Sequence, residues 1–295
     1  MQNEFNGRAA IVTGAGKGIG QAYAVELAAR GAKVIVNNRR HPGEADADTS
    51  AQQVVNTIRA AGGTAVANYE AVEAEGAGAR MVQQALDVFG RIDVLIANAA
   101  LSQAASFHKQ SVDEFLKIFN VGFCGTLNLL HAAWPLFRAQ RYGRIIVTTS
   151  SAGRYGNHGL GAYAASKGAI EMLMRSLAAE GASYGIRINA ISPYALTQMT
   201  AAHLAPEVAA CLTPAAVAPM VAWLASEECT ANGEVIVAGG GRFRRGFSVE
   251  TDSVHGVDMA QVFETLAQQP GRPHPNSNHA FATLVDELRA GGQII

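Results

Sequence analysis

Three residues of this chain stand at spacings that suit proton and hydride chemistry: Ser150, Tyr163 and Lys167. Tyr163 and Lys167 are four apart in a helix-like stretch, 161–179, so they share one helical face. A free phenol titrates near 10, too high to shuttle protons efficiently at neutral pH. A lysine ammonium about 4 Å away, at an effective dielectric near 20, stabilises the phenolate by roughly 4 kcal/mol. That amounts to about 3 pK units, which brings Tyr163 toward neutrality. Ser150 falls just past a β-branched run, 144–149, where its hydroxyl can hold a carbonyl or alcohol oxygen for hydride transfer.

A second chemistry lies in Thr13-Gly14-Ala15-Gly16-Lys17-Gly18-Ile19-Gly20. Glycine-rich runs are common, but this one follows a strand and opens a helix, the context that gives it value. Glycines let the backbone approach a pyrophosphate, and a helix N-terminus offers free N–H groups and a positive dipole end. The second strand ends at Asn37-Asn38-Arg39-Arg40. In dinucleotide folds an acidic residue about 20 positions past the glycines holds the 2′-hydroxyl of NAD. Here that position is Asn38. Arg39 can fork onto a 2′-phosphate, and Lys17 adds positive charge, so NADP(H) is expected ahead of NAD(H), which stays possible. The bland alternative makes Lys17, Arg39 and Arg40 solvated surface charges.

The elements that must position these groups are legible in the texture of the first 240 residues. Short β-branched runs at 9–13, 33–37, 64–67, 92–97, 144–149, 187–191 and 234–237 are nearly continuous apolar stretches, as strands buried on both faces require. Helix-like segments separate them. The stretch 19–30 ends at Gly31, and 50–61 ends at Gly62-Gly63. Ser111-Val112-Asp113-Glu114 is a capping box, and Thr213-Pro214 reads as an N-cap followed by proline at the first helical position. The alternation predicts an α/β, doubly wound, Rossmann-type seven-stranded parallel sheet, with ligands at the strands' carboxyl ends.

The order and spacing of Thr13–Gly20, Asn98-Ala99-Ala100, Asn120, Ser150 and Tyr163-Ala-Ala-Ser-Lys167 resemble the short-chain dehydrogenase/reductase family over about residues 5–240. The resemblance implies that Tyr163 is the acid/base, Lys167 binds the ribose and tunes the tyrosine, and Ser150 orients substrate. Asn120 would hold a water in the proton relay; by itself it reads as an ordinary mid-helix packing group. A loop closing over nicotinamide would follow Pro193, with Thr197 on the carboxamide or phosphate. Gly7-Arg8, Gln21–Ala24, Val66–Tyr69, Tyr142–Ile146, Tyr155-Gly156-Asn157 and Met199-Thr200 are also similar to the (3R)-hydroxyacyl-CoA dehydrogenase domain of peroxisomal multifunctional β-oxidation enzymes. The chain departs from the pattern at Asn38, where an acidic residue is usual, at Ala100 and Tyr194, where Gly is usual, and at the Asp that commonly contacts adenine, which is Glu70 or absent. The substrate class implied is a small ketone or alcohol, or an acyl-CoA, and the assembly a homodimer or homotetramer.

Residues 242–295 change texture and read as a helical extension, docked on the core or on a neighbouring subunit. It opens with Arg242, Arg244 and Arg245, which are expected at the surface or a subunit contact before a CoA phosphate. A helical stretch at 258–268, a loop at 269–278 and an amphipathic helix at 281–290 follow. Arg154, Tyr155, Asn157 and His158 lie between Ser150 and Tyr163 and border the expected substrate pocket, while Trp134 and Trp223 read as core.

Composition excludes other classes. The 295 residues are 49% apolar, enough for a full core, and 23 basic residues against 24 acidic leave a net charge of −1, with no field favouring nucleic acid or anionic membrane. Three scattered cysteines, Cys124, Cys211 and Cys229, indicate neither a disulfide framework nor a metal site. No run suits a signal peptide or membrane helix, and Gln293-Ile294-Ile295 is no peroxisomal address, so a cytoplasmic protein is expected. A non-catalytic dinucleotide sensor is the alternative from another class; intact Tyr163 and Lys167 argue against it.

Overall fold

The structure is a computed structural model that describes residues 4–197, 205–256 and 258–291. Met199, Thr200 and Gln293–Ile295 therefore lie outside the described residues. In chain order the elements are β1 (Ala9–Val12), α1 (Gly18–Ala29), β2 (Lys33–Asn37), α2 (Ser50–Ala60), β3 (Thr64–Asn68), α3 (Ala77–Phe89) and β4 (Val94–Ala97). Then come α4 (Val112–Phe119), a π-helical turn (Asn120–Cys124), α5 (Gly125–Gln140), β5 (Gly143–Thr148), α6 (Ser151–Tyr155), α7 (Gly161–Gly181) and β6 (Ile186–Pro193). The last are α8 (Pro206–Cys211), α9 (Ala218–Ala225), β7 (Val235–Gly239), β8 (Arg242–Gly246), β9 (Val249–Glu250), α10 (Met259–Gln268), β10 (Arg272–Pro273) and α11 (Ser277–Ala290).

The main sheet runs β3-β2-β1-β4-β5-β6-β7-β8. The first seven strands pair in parallel, as in β1 with β2 and β4, and β5 with β6. Alternate strand residues face opposite layers. Val12, Val34 and Val36 meet Tyr23, Leu27, Val54 and Val221 of α1, α2 and α9 on one side. Ile11, Ile35 and Leu95 meet Met81, Leu129, Phe137 and Met174 of α3, α5 and α7 on the other. Each such side chain taken out of water contributes roughly 1.5–3 kcal/mol.

The expected seven strands are joined by an eighth. Gly240 and Gly241 both have positive φ, +56° and +71°, and turn the chain back so that Arg242–Gly246 lies beside β7. The basic run is thus an edge strand, where cations discourage further pairing. Arg245 is held by Glu234 at 2.6 Å. Two other expectations need correcting. Thr213 makes no side-chain cap, because a short 3₁₀ turn, Pro214–Ala216, precedes α9. Trp223 is 45% exposed, on the outward side of α9, whereas Trp134 packs against the core.

The Ser111 capping box is present, with Ser111 and Glu114 satisfying each other's backbone N–H. The chain divides into two compact units, Met1–Arg245 and Gly246–Ile295. In the second unit Asp258 caps α10, Asn276 caps α11, and β9 pairs antiparallel with β10 inside the stretch expected as loop. No described helix is long and apolar enough to cross a membrane.

Candidate active site

Because β1, β4, β5 and β6 are parallel, their carboxyl ends share one edge of the sheet. That edge gathers the glycine loop, Asn98–Ala100, Ser150 and Pro193. Parallel order is what makes residues so distant in sequence neighbours.

The glycine loop is shaped by close approaches. Gly14 has φ +61°, and a Cβ there would fall 2.8 Å from the Ala99 Cα. A Cβ on Gly20 would fall 2.3 Å from the Gly14 carbonyl oxygen and 2.6 Å from Asn98 Nδ2, and one on Gly16 would strike Ser50 Oγ. Neither backbone oxygen nor scaffold amide can yield cheaply. No side chain caps α1 and no acidic residue occupies its first turn, so its N–H groups around Gly18 and Ile19 suit an anion. Gly18 has φ +57°, and its outer side lies 3.5 Å from the Thr197 methyl, measured from an added Cβ. The residues present therefore fit a dinucleotide pyrophosphate. Gly20→Ala is expected to weaken dinucleotide binding by about 1.5–3 kcal/mol, roughly tenfold to 150-fold in Kd, in a fluorescence titration. Unchanged affinity would show that the loop does not approach the ligand.

Asn98 is tied into the glycine loop. Its Nδ2 donates to the Thr13 and Gly14 carbonyls at 3.0 and 3.2 Å. The Thr13 hydroxyl in turn accepts from the Asn98 and Ala99 N–H groups at 3.0 and 3.2 Å. Asn98 and Ala99 thus brace the loop from below, with Ala100 next along the same segment. Thr13, the first residue of the glycine motif, is the hub.

At the adenosine end, Asn38 donates to Ser50 Oγ at 3.0 Å. Arg39 is 42% exposed and lies 3.7 Å from Glu73, and Arg40 stacks on Tyr69 and pairs with Asp46. Lys17 is exposed at the loop tip. Glu70 is engaged by both ends of Arg80, at 2.8 and 2.7 Å, and this bond holds its carboxyl below the usual range. Glu73 was not anticipated. One of its carboxylate oxygens is buried without a hydrogen bond, beside the arginine expected to read the 2′-phosphate.

Ser150 caps α6 through Ala152 N–H at 3.2 Å, and its side chain draws the pKa of the Tyr163 phenol down. Lys167 is fully buried and donates from Nζ to the Thr148 carbonyl at 2.6 Å. Its Nζ lies 5.8 Å from the Tyr163 ring centre. The expected drop in the tyrosine's pKa is absent. Burial holds the phenol above its ordinary value, with Ser150 pulling the other way. Burial also lowers Lys167 to about 8. The physical reason is that the ammonium is committed to Thr148, and both groups lose water.

Asn120 opens the π-helical turn between α4 and α5, and its Oδ1 accepts from the Cys124 thiol at 3.5 Å. Gly122 in that turn approaches Ser166 so closely that a Cβ would sit 2.7 Å from its Oγ. The turn is thereby pressed against α7 one residue from Lys167. Such turns often mark functional sites, and helical periodicity gives no sign of them. Of the pocket-border residues, Tyr155, Asn157 and His158 are exposed, but Arg154 turns inward to Glu171. Among the described residues no group of three or more His, Cys, Asp or Glu could hold a metal.

A doubly wound sheet carrying a dinucleotide cradle beside Ser150, Tyr163 and Lys167 defines a nicotinamide-linked dehydrogenase. The profile of the short chain dehydrogenase family matches residues 8–207, and the chain belongs to that family. It is an oxidoreductase acting on CH–OH and C=O groups. It is 44% identical over 240 residues to a short-chain type dehydrogenase/reductase of Mycobacterium tuberculosis, covering 81% of this chain and 84% of the relative. It is 33% identical over 248 residues to the acetoacetyl-CoA reductase of Shinella zoogloeoides, covering 80% and 98%. Among solved structures it is similar to the full-length peroxisomal multifunctional enzyme type 2 of Drosophila melanogaster. That match has a TM-score of 0.80 and 30% identity, and covers 98% of this chain but half of the other.

Proposed function

We propose that this chain interconverts a secondary alcohol and a ketone with NADP(H), using Ser150, Tyr163, Lys167 and Asn120. The observation that carries the reading is that Ser150, Tyr163 and a buried Lys167, whose Nζ lies 5.8 Å from the Tyr163 ring centre, gather at the edge of the sheet that bears the glycine cradle. A nicotinamide, when bound, supplies or takes the hydride. In reduction the Tyr163 O–H gives its proton to the carbonyl oxygen that Ser150 holds; in oxidation the phenolate takes the proton from the alcohol. Lys167 supplies positive charge below the phenol, and Asn120 holds the path by which the proton is replaced.

The NADP(H) preference rests on Arg39 and Arg40 with no carboxylate at Asn38. Glu73 opposes it, because a 2′-phosphate must draw Arg39 away from that carboxylate. Arg39→Ala should weaken 2′,5′-ADP binding by about 1.5–3 kcal/mol, roughly tenfold or more, and leave 5′-AMP binding unchanged in calorimetry. Equal losses would sink the 2′-phosphate assignment.

A second reading, an NAD-linked (3R)-3-hydroxyacyl-CoA dehydrogenase, draws on the likeness to the multifunctional enzyme and on the relative named acetoacetyl-CoA reductase. Comparing acetoacetyl-CoA with ethyl acetoacetate, each with NADPH and NADH, separates the two. Strong preference for the thioester with NADH supports the second reading. Comparable turnover of the ester with NADPH supports the first. Assembly into a homodimer or homotetramer is supported by the exposed Val112, Leu116, Leu127 and Met172 on α4, α5 and α7.

A further inference from the structure

The proton chemistry above uses Tyr163 and Lys167 of α7, yet the same stripe carries a third ionisable group. Glu171 follows Lys167 by four residues and Tyr163 by eight, and it is almost fully buried. Its Oε2 lies 3.4 Å from Arg154 Nε, with both side chains only 6% exposed. Arg175 approaches its Oε1 from the other side at 3.6 Å. A buried ion pair is weak evidence for stability, because desolvating two charges costs about what their attraction returns. Something other than net stability should therefore account for a pair placed here.

The pair sits where α6 meets α7. Gly153 allows α6 to lie on the α7 backbone: a Cβ there would fall 2.7 Å from Gly168 N and from the Lys167 carbonyl carbon. Arg154, the next residue, donates its N–H to the Ser150 carbonyl at 3.2 Å. Thr149 Oγ1 lies 3.0 Å from the Lys167 carbonyl oxygen and 3.4 Å from Glu171 Oε2. The end of β5, the short α6 and the reactive face of α7 are thus joined around one carboxylate. We infer that Arg154 and Glu171 form a positioning latch: by clamping α6 on α7 they set the distance of the Ser150 hydroxyl from Tyr163 and Lys167. Neither residue touches the reacting atoms, so each acts through the serine. A displacement of about 1 Å at such a site costs up to roughly a hundredfold in rate.

The inference rests on the alcohol/ketone reading, and its test has one arm independent of turnover. The full-length chain is compared with the double variant Arg154→Leu/Glu171→Leu, which replaces the most buried pair by apolar groups and leaves Arg175, 27% exposed, within reach of solvent. The expected result is a melting temperature near wild type, NADPH affinity by fluorescence within about twofold, and kcat lowered about tenfold or more with acetoacetyl-CoA or ethyl acetoacetate. A kcat within twofold of wild type in a folded variant would overturn the latch. Should the double variant fail to fold, Glu171→Gln, which keeps the shape and removes the charge, is read the same way. Should wild type turn over neither ketone, the reaction reading fails and the Lys167 Nζ resonance of the cofactor-free protein decides. A midpoint moving in the variant from about 8 toward the ordinary lysine value, as water enters the loosened seam, supports the latch. An unmoved midpoint overturns it.

Discussion

Replacing Tyr163 by phenylalanine is expected to lower ketone reduction about a thousandfold while leaving dinucleotide affinity within about twofold. The ring fills the same half-buried space, so packing on α7 changes little. What is lost is the hydroxyl that Ser150 influences. General acid–base catalysis is worth roughly 10²–10⁴ in rate, and loss of the proton donor in a water-poor site falls toward the upper end. Steady-state turnover beside a fluorescence titration of NADPH checks both halves. Because burial holds the phenol above its ordinary value, reduction should be sustained well into alkaline solution in the wild type. Oxidation, which needs the phenolate, should rise with pH over the same range.

The second large effect concerns stability and follows from Lys167. Burial lowers it from the ordinary 10.5 to about 8, so the folded chain releases this proton before the unfolded chain does. Between pH 8 and 10.5 the unfolded state binds more protons, and this group's contribution makes stability rise with pH across that window. The full difference is about 3 kcal/mol, present as a cost at all pH values below 8. Lys167→Met removes the cost together with the 2.6 Å bond to Thr148, whose stranded carbonyl takes back about 1–3 kcal/mol. The variant should therefore match or exceed wild-type stability at pH 7. Its relative advantage should then fall by about 3 kcal/mol as pH rises to 10.5. Denaturant unfolding of both proteins at several pH values measures this. Parallel curves would mean that folding leaves the Lys167 pKa at its ordinary value. A more stable but inactive variant would also show that the site is kept at a cost to the fold.

Sequence periodicity was sufficient for the seven parallel strands, because strands buried on both faces must be apolar throughout, and 33–37 and 144–149 are. It was sufficient too for the glycine cradle and for the Ser150, Tyr163 and Lys167 group, whose spacings carry geometric meaning. It failed where the determining contact joins residues far apart in the chain. Nothing local shows that Arg39 faces Glu73, that Asn98 braces Thr13, or that Arg154 turns inward to Glu171. The π-helical turn at Asn120 is invisible because one extra residue leaves the apolar pattern of a long helix almost intact. The eighth strand escapes the strand pattern because three arginines mask its alternation, although Gly240-Gly241 is a turn signal. The tyrosine's pKa was misjudged for a related reason. The i, i+4 spacing sets proximity along α7 but not how far burial opposes the phenolate, nor that Thr148 claims the ammonium.

The most direct test of the oxidoreductase reading is deuteride transfer from 4-deuterated NADPH to acetoacetyl-CoA or ethyl acetoacetate, followed by mass analysis of the product. The expected result is a 3-hydroxy product carrying one deuterium on carbon, formed mole for mole with oxidised cofactor and lost in Tyr163→Phe. Tight binding of NADPH or NADH with no label transferred to any carbonyl, and none taken from the alcohols in reverse, would contradict it and leave a protein that senses the dinucleotide without consuming it.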